Sequence, residues 1–260
     1  MEANVYKEDG SVSGKIALPK LFSTEFRRDI VLRALLAEQS KGYQPQGRDP
    51  LAGLRTSATY VGRYNTYRTQ RHMGVSIRPR QKLAKGAMGE VRRIPSARKG
   101  RRAHPSKVEK RIEERINKKE YDKAVAMAIA ATARKELVSQ RHVFKGQLPI
   151  VVDASFENIE KTKELYNVLQ KLGLGEDLAK SHAPRLKAGK RRKVQKRYFR
   201  KSAVIIAKDA SKLEKAGRNI PGIDVLSVSR LSIEGLAPGG MPRLAIWTEP
   251  AIKSIEEVVK

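Results

Sequence analysis

LPIVVD, residues 148–153, is a short apolar run rich in β-branched side chains. Polar and apolar positions do not alternate within it, which is the mark of a strand covered on both faces. Three later runs read the same way: AVIIA at 203–207, DVLSV at 224–228 and LAIW at 244–247. Helical periodicity fills stretches between and after them. Asn158–Leu172 sets Leu165, Val168, Leu169 and Leu172 on one stripe and closes at Gly173. Thr248 is placed to cap a last helix, with Pro250 in its first turn and Ile252, Ile255 and Val259 facing inward. Strand and helix in alternation from 148 to 260 predict an α/β fold: a parallel sheet flanked by helices on both faces.

Working upstream, Asn4–Lys7 and Lys15–Leu18 read as two strands around the turn signal Asp9-Gly10, and Pro19 ends the second. Ser23 or Thr24 is placed to cap a helix running to about Ser40, with Phe26, Ile30, Val31, Ala34 and Leu35 at helical spacing; Gly42 stops it. After Pro105, Val108, Ile112 and Ile116 recur every fourth residue and predict a helix from about 107. A further helix follows over Tyr121–Val138, carrying Val125, Ala128, Ile129 and Thr132. These helices are expected to pack on the same sheet.

Between them lies a stretch of another kind. Residues 41–106 hold sixteen Lys/Arg against two acids, Asp49 and Glu90, with eight Gly and five Pro. Structureless loops longer than roughly 12–15 residues are functional or disordered. Guanidinium and ammonium groups at this density cannot enter a protein core, where they would lose water and find no partners. The segment needs a polyanion. An excursion of about 30 residues each way can reach on the order of 100 Å at ~3.3–3.6 Å per residue. Residues 183–202 form a second basic run, with ten Lys/Arg and no acid.

Net charge points the same way. The 260-residue chain carries +28 at pH 7, and a free chain so charged repels itself. Gly and Tyr (Tyr43, Tyr60, Tyr64, Tyr67) are interleaved with the charge. Arg forks to phosphates and stacks on bases, Gly lets backbone approach closely, and Tyr offers a stacking face. No predicted helix carries the basic residues as a groove reader would, which favours folded RNA over duplex DNA. His72 and His104 lie in the basic segment and are candidates for RNA contact, whereas His142 and His182 read as ordinary, partly exposed residues.

Several classes are excluded. Without cysteine there is no disulfide, no thiolate zinc site and no thiol catalysis. No apolar window approaches a membrane span, and the N-terminus lacks a signal-peptide pattern, so a soluble intracellular protein is expected. Gly-x-Gly-x-x-Gly after a strand is absent, and Gly189-Lys190 lacks both the earlier Gly and the following Ser/Thr of a phosphate loop. Asp153 ends a strand where ribose-binding acids sit, but without a glycine fingerprint its reading is structural. Gly86-Ala87-Met88-Gly89 resembles a Gly-x-x-Gly clamp without that module's flanking helices, and reads as flexible backbone. The histidines fall at no metal spacing. Neither a catalytic constellation nor a cofactor or metal site is expected.

The order of short strings is specific. LP at 18–19, Phe22, RRDIV at 27–31, Ala52-Gly53, TSA at 56–58, Gly62-Arg63, GAMG at 86–89 and GRRAHP at 100–105 are followed by RLKAGKRRK at 185–193, RNIPGI at 218–223, LAPGG at 236–240 and AIWT at 245–248. Together they resemble the universal large-ribosomal-subunit protein four family in its archaeal and eukaryotic form, over nearly the whole length, with GRRAHP leaning archaeal. The resemblance implies a Rossmann-like body over 1–46 and 103–260, with a long extended loop, 47–102, inserted after the first helix and threaded into rRNA.

It also implies partners: large-subunit rRNA, neighbouring large-subunit proteins and the nascent polypeptide, in a cytoplasmic ribosome, with no membrane and no small-molecule substrate. The rRNA-binding set it suggests is Arg48, Arg55, Arg63, Arg68, Arg71, Arg78, Arg80, Lys82, Lys85, Arg92, Arg93, Arg98, Lys99, Arg101 and Arg102 in the loop. Lys187, Lys190, Arg191, Arg192, Lys193, Lys196 and Arg197 extend that set onto the body. The loop tip, around Arg63–Lys85, is expected to line the peptide exit tunnel with Arg63, Tyr64, Tyr67, Arg68, Arg71, His72, Arg78 and Arg80. Two other readings stand beside this one. An RNA-modifying enzyme needs a cofactor pocket at the sheet's C-terminal edge, and a DNA-compacting protein would bind duplex DNA and folded rRNA alike.

Overall fold

Alternation along each buried strand decides how the sheet is packed. A computed structural model describes residues 2–67, 69–186 and 197–258. In chain order the strands are β1 (Glu2–Tyr6), β2 (Val12–Ala17), β3 (Arg80–Lys82), β4 (Met88–Val91), β5 (Ile150–Val152), β6 (Arg185–Leu186), β7 (Arg197–Tyr198), β8 (Val204–Ala207), β9 (Asp224–Ser227) and β10 (Ala245–Thr248). The helices are α1 (Arg28–Ser40), α2 (Lys118–Thr132), α3 (Lys135–Ser139), α4 (Thr162–Leu169), α5 (Gly175–His182), α6 (Ser211–Gly217), α7 (Ile233–Leu236) and α8 (Glu249–Val258). The chain divides into two compact units, residues 1–42 with 113–260, and residues 43–112.

The first unit is built on a six-stranded sheet in the order β2-β1-β5-β10-β8-β9. β1 and β2 are antiparallel, joined through Gly10 in the left-handed region (φ +80°), as the Asp9-Gly10 signal predicts. Every other neighbouring pair is parallel. Val151, Val204, Ile206, Ala245 and Trp247 point to one face, where Phe22, Val31, Leu35, Ala128, Ile129, Ile252 and Ile255 cover them. Their chain neighbours Ile150, Val152, Ile205, Ala207 and Ile246 point to the other, against Phe156, Leu165, Leu169, Leu178 and Leu213. Burial on both faces is why the strand sequences are continuously apolar. The parallel sheet between two helical layers is therefore found as expected, and Thr248 Oγ1 accepts the Ala251 N–H at 3.3 Å to cap α8.

Element ends differ from the sequence reading for local reasons. No helix forms over 107–116, and Val108 is exposed. One apolar residue per turn makes too narrow a stripe to bury, and a short helix without tertiary packing is marginal. Ser23 does not cap α1; its hydroxyl donates to the Lys20 carbonyl at 2.6 Å and closes a 3₁₀ turn, and α1 begins at Arg28. The helix expected over 121–138 is broken at Ala133-Arg134, where Arg134 takes an extended conformation and its guanidinium donates to the Thr24 carbonyl at 2.7 Å. Gly173 sits at φ +86° and turns the chain from α4 into α5, which periodicity did not reveal.

The second unit has almost no interior. Among its described residues only Ala58 and Gln70 are buried. Its order comes from backbone pairing: the Arg48 N–H donates to the Ser106 carbonyl (3.0 Å), Thr59 bridges Arg80, and β3 pairs with β4 in a hairpin. Gly53 (φ +81°) lies against the Gly100 backbone, where a Cβ would fall 2.5 Å from the carbonyl oxygen. GAMG, expected to be flexible backbone, instead closes the hairpin: Gly86 takes φ +79° and Met88-Gly89 open β4.

Candidate nucleic-acid interface

The unit 43–112 presents cations without a core behind them. Of the fifteen basic residues predicted for it, Arg68 lies outside the described residues. Arg80 and Arg92 are half-buried, and Arg48, Arg55, Arg63, Arg71, Arg78, Lys82, Lys85, Arg93, Arg98, Lys99, Arg101 and Arg102 are exposed. Two of the unit's three acids are already taken: Asp49 pairs with Arg55 at 2.8 Å and Glu90 with Arg92 at 2.5 Å. Arg92 also donates to the Arg98 carbonyl and Arg80 to Ser76 Oγ, so these two arginines hold the unit together as well as charging it. The remaining cations, among the described residues, face no carboxylate. Tyr64 and Tyr67 stand 65% and 82% exposed among the charges, and the Tyr64 ring meets His72 edge-on at 6.4 Å.

On the first unit, β6 and β7 pair in antiparallel register and carry the two ends of the second basic run. Arg197 is exposed on β7. Lys187, Lys190, Arg191, Arg192, Lys193 and Lys196 lie outside the described residues.

The C-terminal edge of the sheet, where an α/β enzyme would seat a cofactor phosphate, is occupied by a carboxylate. Glu157 accepts the backbone N–H groups of Lys208 (3.0 Å) and Asp209 (3.4 Å) and the Thr248 hydroxyl (2.6 Å). It consumes the donors a phosphate would use and repels its charge. Asp153, one residue past β5, accepts the Ala154 N–H at 2.7 Å as a cap, in keeping with its structural reading.

Residues 16–258 match the Ribosomal protein L4/L1 family. The chain is 41% identical to the large ribosomal subunit protein uL4 of Methanocaldococcus jannaschii, with 99% of each chain covered. It is 40% identical to that of Archaeoglobus fulgidus and 38% to that of Methanoculleus marisnigri, again over 99% of each. The chain belongs to the ribosomal protein L4/L1 family. Its members are structural ribosomal proteins, not enzymes, and the relatives named here are archaeal, as GRRAHP suggested.

Within this L4-family body the sequence misjudged one histidine. His142 is buried, not partly exposed, because its Nδ1 hydrogen-bonds Asp177 Oδ2 at 3.0 Å on α5. The same oxygen accepts the Ser202 hydroxyl at 2.5 Å. Burial raises the Asp177 carboxyl, but these bonds, with the His142 charge and the Val143 N–H, more than reverse it and hold the group below the usual carboxylate range. Serine, histidine and aspartate meet here in the wrong order for catalysis: the acid is central, and the serine hydroxyl is bonded to it instead of to the imidazole. His182, His72 and His104 are exposed. Among the described residues, no group of three His, Asp or Glu is placed to hold a metal, and no helix is long and apolar enough to cross a membrane.

Proposed function

We propose that this chain is a structural constituent of the large ribosomal subunit, held there by large-subunit rRNA. The observation that carries the reading is the unit 43–112: among its described residues two side chains are buried, and its cations other than Arg55 and Arg92 meet no acid. Such a unit cannot be stabilised by burial. Neutralising phosphates and releasing their counterions offsets the cost of ordering it. In this reading residues 47–102 form the inserted rRNA-binding loop, the other basic residues from Lys187 to Arg197 make a second contact from the body, and both aid subunit assembly. The stretch Arg63–Lys85 is the tip, and its cations and tyrosines line the exit tunnel and set a local field felt by the emerging peptide. Neighbouring large-subunit proteins complete its surroundings, in the cytoplasm.

The test is binding of the purified chain to a large-subunit rRNA transcript across a salt series, with sedimentation of tagged chain in an archaeal lysate. Steeply salt-dependent binding and co-migration with large subunits are expected. Equal affinity for duplex DNA in competition would replace the rRNA reading with non-specific DNA compaction.

A further inference from the structure

The first unit carries a cleft of about 500 Å³ where the end of the second basic run meets α5 and the stretch after α3. His142 lies in its wall, with Arg141, Lys180, Tyr198, Phe199 and Arg200 around it. Four properties of this cleft point to one kind of occupant.

Its charge is uncompensated. Among the described residues, Lys180 and Arg200 have no acidic partner, and both are exposed. Arg141 is exposed along its side chain and uses its guanidinium on the Pro238 carbonyl. Burial pulls Arg141 below its usual value, and the nearby Arg200 charge pulls it further, against Asp177. An anion in the cleft would relieve that repulsion.

It has aromatic faces. Tyr198 and Phe199 are 39% and 46% exposed, although each has apolar surface that would favour burial. Consecutive exposed aromatics flanked by Arg197, Arg200 and Lys201 are the composition of a base-stacking platform.

It contains an unspent polar atom. His142 Nε2 is buried and has no hydrogen-bond partner among the described residues. Asp177 is held as a carboxylate and can only accept, so Nδ1 donates to it and Nε2 is left for a partner outside the pair.

It is also placed at the root of the second basic run, since Tyr198 ends β7 and Phe199–Lys201 follow it directly.

We propose that this cleft receives a single unstacked nucleotide of the bound rRNA, with its base on Tyr198 and Phe199, its phosphate between Lys180 and Arg200, and a polar group of the base edge hydrogen-bonded to His142 Nε2. The volume suits a group of that size, and extrahelical bases splayed onto aromatic and arginine surfaces are how proteins read folded RNA. This inference rests on the rRNA-binding reading above and adds to it a defined pocket with hydrogen-bond selectivity for a base edge.

The experiment uses the full chain with a large-subunit rRNA transcript. Ultraviolet cross-linking followed by Lys-C digestion is expected to leave a nucleotide adduct on peptide 197–201. The double variant Tyr198→Ala/Phe199→Ala is expected to weaken binding at least five-fold with its salt slope unchanged, because stacking releases no counterions. Arg200→Ala is expected to weaken binding and to lower the slope by about 0.7–0.9. His142→Phe is expected to lose affinity that His142→Gln, which keeps a hydrogen-bonding group, partly retains. Melting temperatures of the variants check that each is folded.

Wild-type binding without an adduct at 197–201, or a double variant that binds like wild type, overturns the pocket and leaves the rRNA reading intact. A loss in the double variant that appears wholly as a reduced salt slope makes this a charged face only, and likewise overturns it. Displacement of the adduct by polyglutamate at matched ionic strength would assign the cleft to an acidic polypeptide instead. Failure of the wild-type chain to bind rRNA at all removes the underlying reading.

Discussion

Arg243 Nη1 lies 2.5 Å from Asp224 Oδ2, joining the chain two residues before β10 to the first residue of β9. The rest of the guanidinium is spent on backbone. Nε donates to Ser202, Nη2 to Ala203 (2.8 Å) and Gly222 (2.5 Å), and Nη1 also to Gly235 (3.4 Å). Five donors meet five acceptors, so a fully buried cation is satisfied, and it ties the entrances of β8, β9 and β10 to α7.

Removing the acid should therefore cost far more than removing a surface pair. Asp224→Asn leaves the Arg243 charge uncompensated in the interior, for an expected loss of about 3–5 kcal/mol. Lys201 also reaches Asp224, at 2.8 Å, but is half exposed, and Lys201→Ala should cost at most about 1 kcal/mol. Urea unfolding of the two variants, followed by tryptophan emission, makes the comparison. Equal losses would show that the buried guanidinium does not depend on Asp224.

Acid should loosen the same region. Burial raises Asp224, but the Arg243 charge and the Lys201 and Arg243 hydrogen bonds outweigh it, and the net direction is downward, as for Asp177. A carboxylate whose folded pKa lies below its unfolded one contributes stability that is complete above the unfolded value, near 3.8, and is lost as pH falls through the folded value. Stability from these two groups should thus be flat from neutral pH down to about 5 and fall below about 4. Asp177→Asn should be less stable than wild type at pH 7 and fall less steeply in acid, as read by thermal melts at stepped pH. Parallel curves would mean that Asp177 titrates alike in both states.

Phe22 packs edge-on to Trp247, with ring centroids 5.4 Å apart and planes at 75°. Both rings are buried beneath α1, α2 and α8. Phe22→Ala should cost about 3–5 kcal/mol through lost contact and a cavity. Trp247 is the only tryptophan, so its emission should shift to the red in the variant if water enters the cavity. An unshifted spectrum with a loss under about 1 kcal/mol would mean that the neighbours close the gap.

Much of this was legible before the fold was seen, for physical reasons that vary by element. LPIVVD and AVIIA are strands because covered strands need apolar side chains on both faces, and nothing else in the chain competes for that pattern. Asp9-Gly10 was legible because only a residue free of Cβ enters its turn cheaply. The charge of 41–106 needed only counting. Arg243 was not legible: an arginine before an apolar strand looks like a solvated flank, and its acceptors, four carbonyls and the Asp224 carboxylate, are brought from Ser202 to Gly235 by folding alone. His142 was missed similarly, since Asp177 is thirty-five positions away. Val108, Ile112 and Ile116 misled because spacing reports a possible face, not whether anything packs on it.

Pairing within 43–112 sorts its arginines into two groups that one measurement can separate. Arg63, Arg71 and Arg78 are exposed and meet no carboxylate among the described residues, so each is free to displace a counterion from RNA. Arg55 and Arg92 already sit 2.8 and 2.5 Å from Asp49 and Glu90. An arginine neutralised by its own acid releases little on binding. Replacing Arg63, Arg71 and Arg78 together by Ala should lower the slope of log affinity against log salt by about 2, at roughly 0.7–0.9 per phosphate contact. Replacing Arg55 and Arg92 should change that slope by well under 1 per residue, while loosening the unit, because Arg92 also holds the Arg98 carbonyl at 2.9 Å. Filter binding of each triple and double variant to the rRNA transcript from 50 to 400 mM salt reads both slopes. If the paired set carried as much slope per residue as the unpaired set, the two internal ion pairs would have to open on binding, and the unit would meet RNA in a different arrangement from the one it holds alone.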